Sequence, residues 1–154
     1  IDLLVNELKN KMPSKNIFEL KFDSKLFYSS KDSKQKRLIQ YVLNKIEAKF
    51  HNNNILLNNV SIEHIYPEKP KDTVWVKLSN SQIAYNIGNL VLLDAAINSD
   101  IGNKNFIDKK KIILSKSSII TTKKVFEENE DWNENNILER RNFLLNYTFE
   151  NMWE

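Results

Sequence analysis

Gly88 and Gly102 are the only two glycines in a 154-residue chain, and prolines number only three. Glycine supplies backbone with positive φ, and proline presets the first corner of a turn. Their scarcity argues against a fold built from many short hairpins and for a largely helical scaffold. The length suffices for one domain with a real core. Hydrophobic residues at 41% and charged residues at 28% fit an ordinary soluble globular protein. Asn and Lys are plentiful beside Ile and Leu, which reads as compositional bias of a genome rather than a prion-like tract.

Helical periodicity appears first at Leu3, Leu4, Leu8 and Met12, and Pro13 ends it, which predicts a helix over 1–12. Residues 16–30, with Phe18, Phe22, Phe27 and Tyr28, read as a short helix or an irregular packing segment. An amphipathic helix is predicted from Ser33, its N-cap, to Phe50. Its apolar stripe is Leu38, Tyr41, Val42, Ile46 and Phe50, with Leu43 alongside. Residues 56–66 hold a first strand, and 67–72 a loop. Trp75 and Tyr85 read as packing residues. Gly88 turns the chain into Leu90-Val91-Leu92-Leu93, an uninterrupted apolar run of buried character. Asp94 is placed to cap a short helix through Asn98, which Gly102 breaks. A further helix runs from about Asn105 to Ser115. Residues 121–131 read as a polar, acidic linker, and 132–152 as a closing helix with Ile137, Leu138, Phe143, Leu144 and Leu145. The predicted class is α+β, mostly helical, in one domain over 1–154. A strand-strand-helix centre at about 56–116 is embedded between helical flanks at 1–50 and 132–152.

The net charge of +3 is weakly basic, compatible with a phosphate-bearing partner without demanding one. Without cysteine there is neither a disulfide nor a Cys-ligated zinc. No apolar run is long enough for a membrane span and no signal peptide is visible, so no membrane partner is expected and the predicted location is cytoplasmic. The chain starts at Ile1 rather than Met, which reads as a piece of a longer protein.

The chemistry concentrates in one ordered set. Glu63-His64-Ile65-Tyr66-Pro67 ends an apolar run, Gly88-Asn89 opens the second, Asn98 follows Asn89 by nine positions, and Asn103-Lys104 comes next. An imidazole with an unperturbed pKa near 6.5 can take a proton from water at neutral pH, which makes His64 the candidate general base. Read alone, His64 would be a satisfied core or surface histidine. His51 has no comparable setting and reads as a surface residue at a helix end.

The order acid-His, Asn, Asn resembles the HNH, or ββα-metal, nuclease motif, in which two strands and a helix hold one divalent metal against a phosphodiester. Adding Trp75, Ile87-Gly88-Asn89-Leu90, Phe106 and Lys109, and Trp132 with Ile137 and Arg140-Arg141, the chain resembles the C-terminal domain of GmrSD-type modification-dependent (type IV) restriction enzymes over roughly 33–145. The resemblance implies a metal-dependent DNA endonuclease that serves phage defence. It implies a preceding ParB-like nucleotide-hydrolysing domain in the same protein, and DNA, including modified phage DNA, as partner.

It also implies roles. Glu63 stands where the family most often has Asp and is the first candidate ligand for Mg²⁺ or Mn²⁺, since hard ions accept carboxylate oxygen. Asn98 is the second candidate ligand, through its amide oxygen, and Asn103 a further ligand or a cap. Asn89 is expected to bond backbone across the loop and position His64 rather than touch metal. Lys104 is expected to meet phosphate. Lys109, Lys110 and Lys111 read as a solvated helix face that could also track a DNA backbone, and Arg140 and Arg141 carry the same two readings. The alternatives are a degenerate module that binds DNA or protein without cutting, and an RNase on the same motif.

Overall fold

A computed structural model describes residues 7, 11–29, 35–52, 57, 59–71 and 74–151. Among them the fold is mostly helical α+β, with six α-helices and one two-stranded antiparallel sheet. The helices are α1 (Lys15–Lys25), α2 (Lys36–Phe50), α3 (Ala95–Ile101), α4 (Phe106–Lys116), α5 (Ile120–Glu128) and α6 (Glu134–Asn151), and the strands are β1 (Val60–His64) and β2 (Leu90–Asp94). The helix predicted over 1–12 and the Ser33 cap lie outside the described residues, apart from positions 7, 11 and 12. None of the described helices is long and apolar enough to cross a membrane.

β2 organises the interior. It pairs with β1 in the register Val60↔Asp94, Ile62↔Leu92, His64↔Leu90. Side chains alternate between the faces of a strand. Val91 and Leu93 therefore join one apolar cluster with Ile97, Ile101, Phe106, Ile113, Phe126, Trp132 and Ile137. Leu90 and Leu92 join a second with Phe22, Ile39, Val42, Leu43, Ile46, Leu144 and Leu145. Both faces being covered is the physical reason for the unbroken apolar run.

Three boundaries differ from the sequence reading. On α2 the buried residues are Ile39, Val42, Leu43, Ile46 and Glu47, whereas Leu38, Tyr41 and Phe50 are exposed, so the core face is rotated from the predicted stripe. Residues 120–128, predicted as part of a linker, form α5. Its first amides are capped from across the fold: the buried Glu47 carboxylate accepts from Ile120 N–H and Thr121 N–H, each at 2.8 Å, and also meets His51 at 2.9 Å. An acid at a helix N-terminus is favoured by the orphan amides and the helix dipole. Asp94 precedes α3 but does not cap it with its side chain. The carboxylate instead accepts from Ser117 and Ser118 hydroxyls at 2.7 and 2.6 Å, and α3 continues past Asn98 to Ile101.

Gly88 is required by close approach. It lies in a short 3₁₀ turn, residues 87–89, against α6, where an added Cβ would stand 2.1 Å from the Ile137 carbonyl oxygen. Backbone cannot yield as a side-chain tip can. Gly88→Ala is expected to destabilise by roughly 3 kcal/mol through overpacking. The check is a lower urea midpoint with an unchanged m-value. A midpoint equal to the parent's would show that α6 can move away freely.

Candidate active site

Glu63 and His64 are consecutive on β1, so the strand turns them to opposite faces of the sheet. Both still line one cavity of about 370 Å³ at the end of the strand, with Tyr28, Ile62, Pro67, Glu68, Lys69, Gly102 and Asn103. A backbone pairing brings Tyr28 there. Phe27 bridges Asn86, and Tyr28 N–H donates to the Tyr85 carbonyl at 3.0 Å.

His64 is buried, stacked on Tyr28 with ring centres 5.5 Å apart, and edge-on to Tyr85 at 6.2 Å. Its Nε2 lies 3.0 Å from the Tyr28 carbonyl oxygen and 3.5 Å from Glu68 Oε1. A carbonyl only accepts, so the proton resides on Nε2 and the lone pair on Nδ1. Burial pushes the imidazole below its ordinary pKa. The Tyr28 carbonyl and the carboxylates of Glu68 and Glu63 pull it upward, and Lys109 pushes it down again. The net direction keeps His64 neutral at physiological pH.

Glu63 Oε1 receives a hydrogen bond from Lys109 Nζ at 2.8 Å, and the same ammonium donates to the His64 carbonyl oxygen at 2.8 Å. Lys109 has no solvent exposure, and burial pushes its pKa below the ordinary value against the opposing pull of Glu63. The expectation of a solvated Lys109 on a DNA-tracking face is therefore corrected. A buried ammonium needs compensation, and β1 supplies it.

Asn89 is fully buried with its amide saturated. Oδ1 accepts from Tyr66 N–H at 2.8 Å and Trp132 Nε1–H at 2.9 Å, and Nδ2 donates to the carbonyls of Tyr66 at 2.8 Å and Ala84 at 2.7 Å. Ile65 N–H adds a bond to the Asn89 carbonyl at 3.0 Å. The two residues after His64 are thus clamped to the entrance of β2.

Other candidates sit elsewhere. Asn98 is exposed on α3 and is not among the cavity residues. Asn103 lines the cavity, and its Nδ2 lies 3.5 Å from the Lys69 carbonyl. Lys104 is exposed beside it. Lys110 is engaged by the Asn129 carbonyl and Glu130, each at 2.9 Å. Arg140 donates from Nη1 to the carbonyls of Ile87, Gly88 and Leu90, at 3.2, 2.7 and 2.7 Å. Arg141 is buried and pairs with Asp23, and with Glu19 at 2.9 Å. Both arginines are thus engaged by groups of the fold itself. Sequence reasoning missed Tyr28, Glu68, and the bond from Trp132 to Asn89. Glu68, four residues after His64, was the one with a local signal.

The oxygens of Glu63, Glu68 and Asn103 are hard donors of the kind Mg²⁺ and Mn²⁺ accept. Among the described residues, no three acidic, His or Cys side chains are arranged to hold a metal by themselves.

A search of the curated proteins found no match. Residues 12–147 match the family described as GmrSD restriction endonucleases, C-terminal domain, and with most of its length covered the chain belongs to that family.

Proposed function

We propose that this chain is the cleavage module of a DNA restriction enzyme, hydrolysing phosphodiester bonds by the HNH, or ββα-metal, route with β1, β2 and α3 as its core. The observation that carries the reading is His64, buried and neutral, with Nε2–H committed to the Tyr28 carbonyl so that Nδ1 can accept a proton. Glu63, Glu68 and Asn103 would hold Mg²⁺ or Mn²⁺ in the same cavity. A bound ion would neutralise charge developing on the phosphoryl oxygens. His64 takes the proton of the attacking water at Nδ1. The Tyr28 carbonyl fixes its tautomer, and Asn89 fixes the backbone that carries it. Phage defence, cytoplasmic location and a ParB-like nucleotide-hydrolysing partner domain belong to the same reading, supported by the family.

The test is incubation of the purified protein with supercoiled plasmid and Mg²⁺ or Mn²⁺, beside an EDTA control. Metal-dependent nicking is the expected result, and equal nicking in EDTA would remove the metal from the reading. The amide ligand is separable by calorimetry with Mn²⁺. Asn103→Ala is expected to weaken binding about tenfold or more and Asn98→Ala much less, because only Asn103 lines the cavity. The reverse order would return the ligand role to Asn98.

One observation favours a second reading, a module that holds DNA without cutting it. Glu63, longer than the family's usual Asp, already carries the ammonium of Lys109 on one oxygen. Absence of any Mn²⁺ binding by the unaltered protein would favour that module.

A further inference from the structure

We propose that Lys69 is a backbone-phosphate contact of this site, forming with Lys104 a two-ammonium clamp at the mouth of the His64 cavity. The proposal rests on the nucleic-acid reading above and says where the strand is gripped.

The argument is an accounting of positive charge. Lys109 is spent on Glu63 and the His64 carbonyl, Lys110 on Glu130 and Asn129, Arg141 on Asp23 and Glu19, and Arg140 on three carbonyls. Lys116 is paired with Asp100 at 2.7 Å. Lys69 differs from all of these. It is exposed, lines the same cavity as His64 and Glu63, and makes no ion pair among the described residues. Lys104 is likewise exposed with no ion pair of its own, and the nearby Asp100 already holds Lys116.

Two bonds bring together the backbone segments that carry the two lysines. Asn103 Nδ2 reaches the Lys69 carbonyl at 3.5 Å, which ties the segment after β1 to the turn between α3 and α4. Lys104 N–H donates to the Ile101 carbonyl at 3.2 Å, which fixes that turn. Lys104 follows Asn103 in sequence, so its backbone lies near that of Lys69. The acidic groups facing Lys69 are Glu63 and Glu68 inside the cavity, and Lys109 already offsets Glu63. Lys69 and Lys104 are exposed, whereas Glu63 and Glu68 are half-buried. That polarity places a polyanion across the mouth with one phosphodiester next to His64. Ammonium groups on flexible stems grip phosphate without reading bases, so the clamp fits backbone, not sequence.

The experiment measures binding of a fluorescein-labelled DNA duplex by anisotropy in EDTA, so that no cleavage occurs, between about 50 and 200 mM KCl. Each lost phosphate contact should flatten the plot of log K against log salt by about 0.9. Over that range the unaltered protein should lose about 3.5-fold more affinity than Lys69→Ala. Lys69→Arg should restore the slope. Lys111→Ala, on the exposed face of α4, should leave it unchanged. Lys69 is exposed and, among the described residues, bonds only through its backbone, so Lys69→Ala should keep the parent circular dichroism spectrum. An unchanged slope in Lys69→Ala overturns the clamp while leaving the nuclease reading intact. A flattened slope in a protein that never nicks plasmid sustains the clamp and removes the nuclease. No DNA binding by the unaltered protein overturns both.

Discussion

Plasmid nicking should fall roughly 100- to 10,000-fold in His64→Ala, the range for losing a general base. The size follows from what no neighbour can replace. Nε2–H is held by the Tyr28 carbonyl, which leaves Nδ1 as the lone-pair nitrogen of a ring that lines the cavity. Glu68 is the nearest other base, but it lies 3.5 Å from Nε2, on the protonated side of the ring. The fold should survive, because the apolar clusters on either side of β2 do not include His64. Truncation leaves the Tyr28 carbonyl without its donor, a cost of about 1–3 kcal/mol visible in the melting curve. Exogenous imidazole should restore part of the rate to the truncated enzyme by entering the vacated space. His64→Ala cutting at the parent rate would remove His64 from the chemistry.

Asn89→Ala should be the most damaging single change to the fold among the polar residues, at about 4 kcal/mol. It removes four hydrogen bonds at once and orphans the Tyr66 N–H, the Trp132 indole N–H and the carbonyls of Tyr66 and Ala84 in a dry interior. Each buried group left without its partner costs about 1–3 kcal/mol, partly relieved by local relaxation. For a protein of this length the melting temperature should drop by roughly 8–16 °C. Asn89→Asp should be comparably harmful. A carboxylate keeps the acceptor but loses both donors, and it sets an unpaired charge among apolar side chains. A melting temperature within about 2 °C of the parent in both variants would show that water fills the role of the amide.

The legible parts of this chain were those whose cause lies nearby in sequence. β2 could be read because burial on both faces writes itself as consecutive apolar residues, α4 because its cap is local, with Asn105 Oδ1 accepting from Asp108 N–H at 2.8 Å, and the end of α3 because Gly102 takes φ +44° there. The Glu63-His64 and Gly88-Asn89 pairs were legible as a spaced motif. What stayed hidden was set across the fold. α5 has no cap of its own, because Glu47 provides it from α2, and its many polar residues conceal the buried Thr122 and Phe126. The face of α2 was misjudged because Leu38-Tyr41-Val42 and Ile39-Val42-Leu43-Ile46 are both plausible stripes, and only the partner surface selects one. Lys109 looks like any lysine of a basic run until the strand places Glu63 against it. The Tyr28 carbonyl, being backbone, has no sequence signature.

Adjacent positions on β1 send His64 and Glu63, the proposed proton acceptor and oxygen donor, to different sides of the sheet. His64 is held by Tyr28 and Tyr85 on the side of Ile62 and Leu90, while Glu63 is held by Lys109 from α4 on the side of Val91. Lys109 nevertheless couples the two sides, because its ammonium bonds both Glu63 and the His64 carbonyl and its charge pushes the imidazole pKa down. A substitution of Lys109 in α4 should therefore act on both groups at once, whereas a change in the segment around Tyr28 acts first on His64. In a lineage of such chains the two groups would then change together through α4 rather than drift along separate paths.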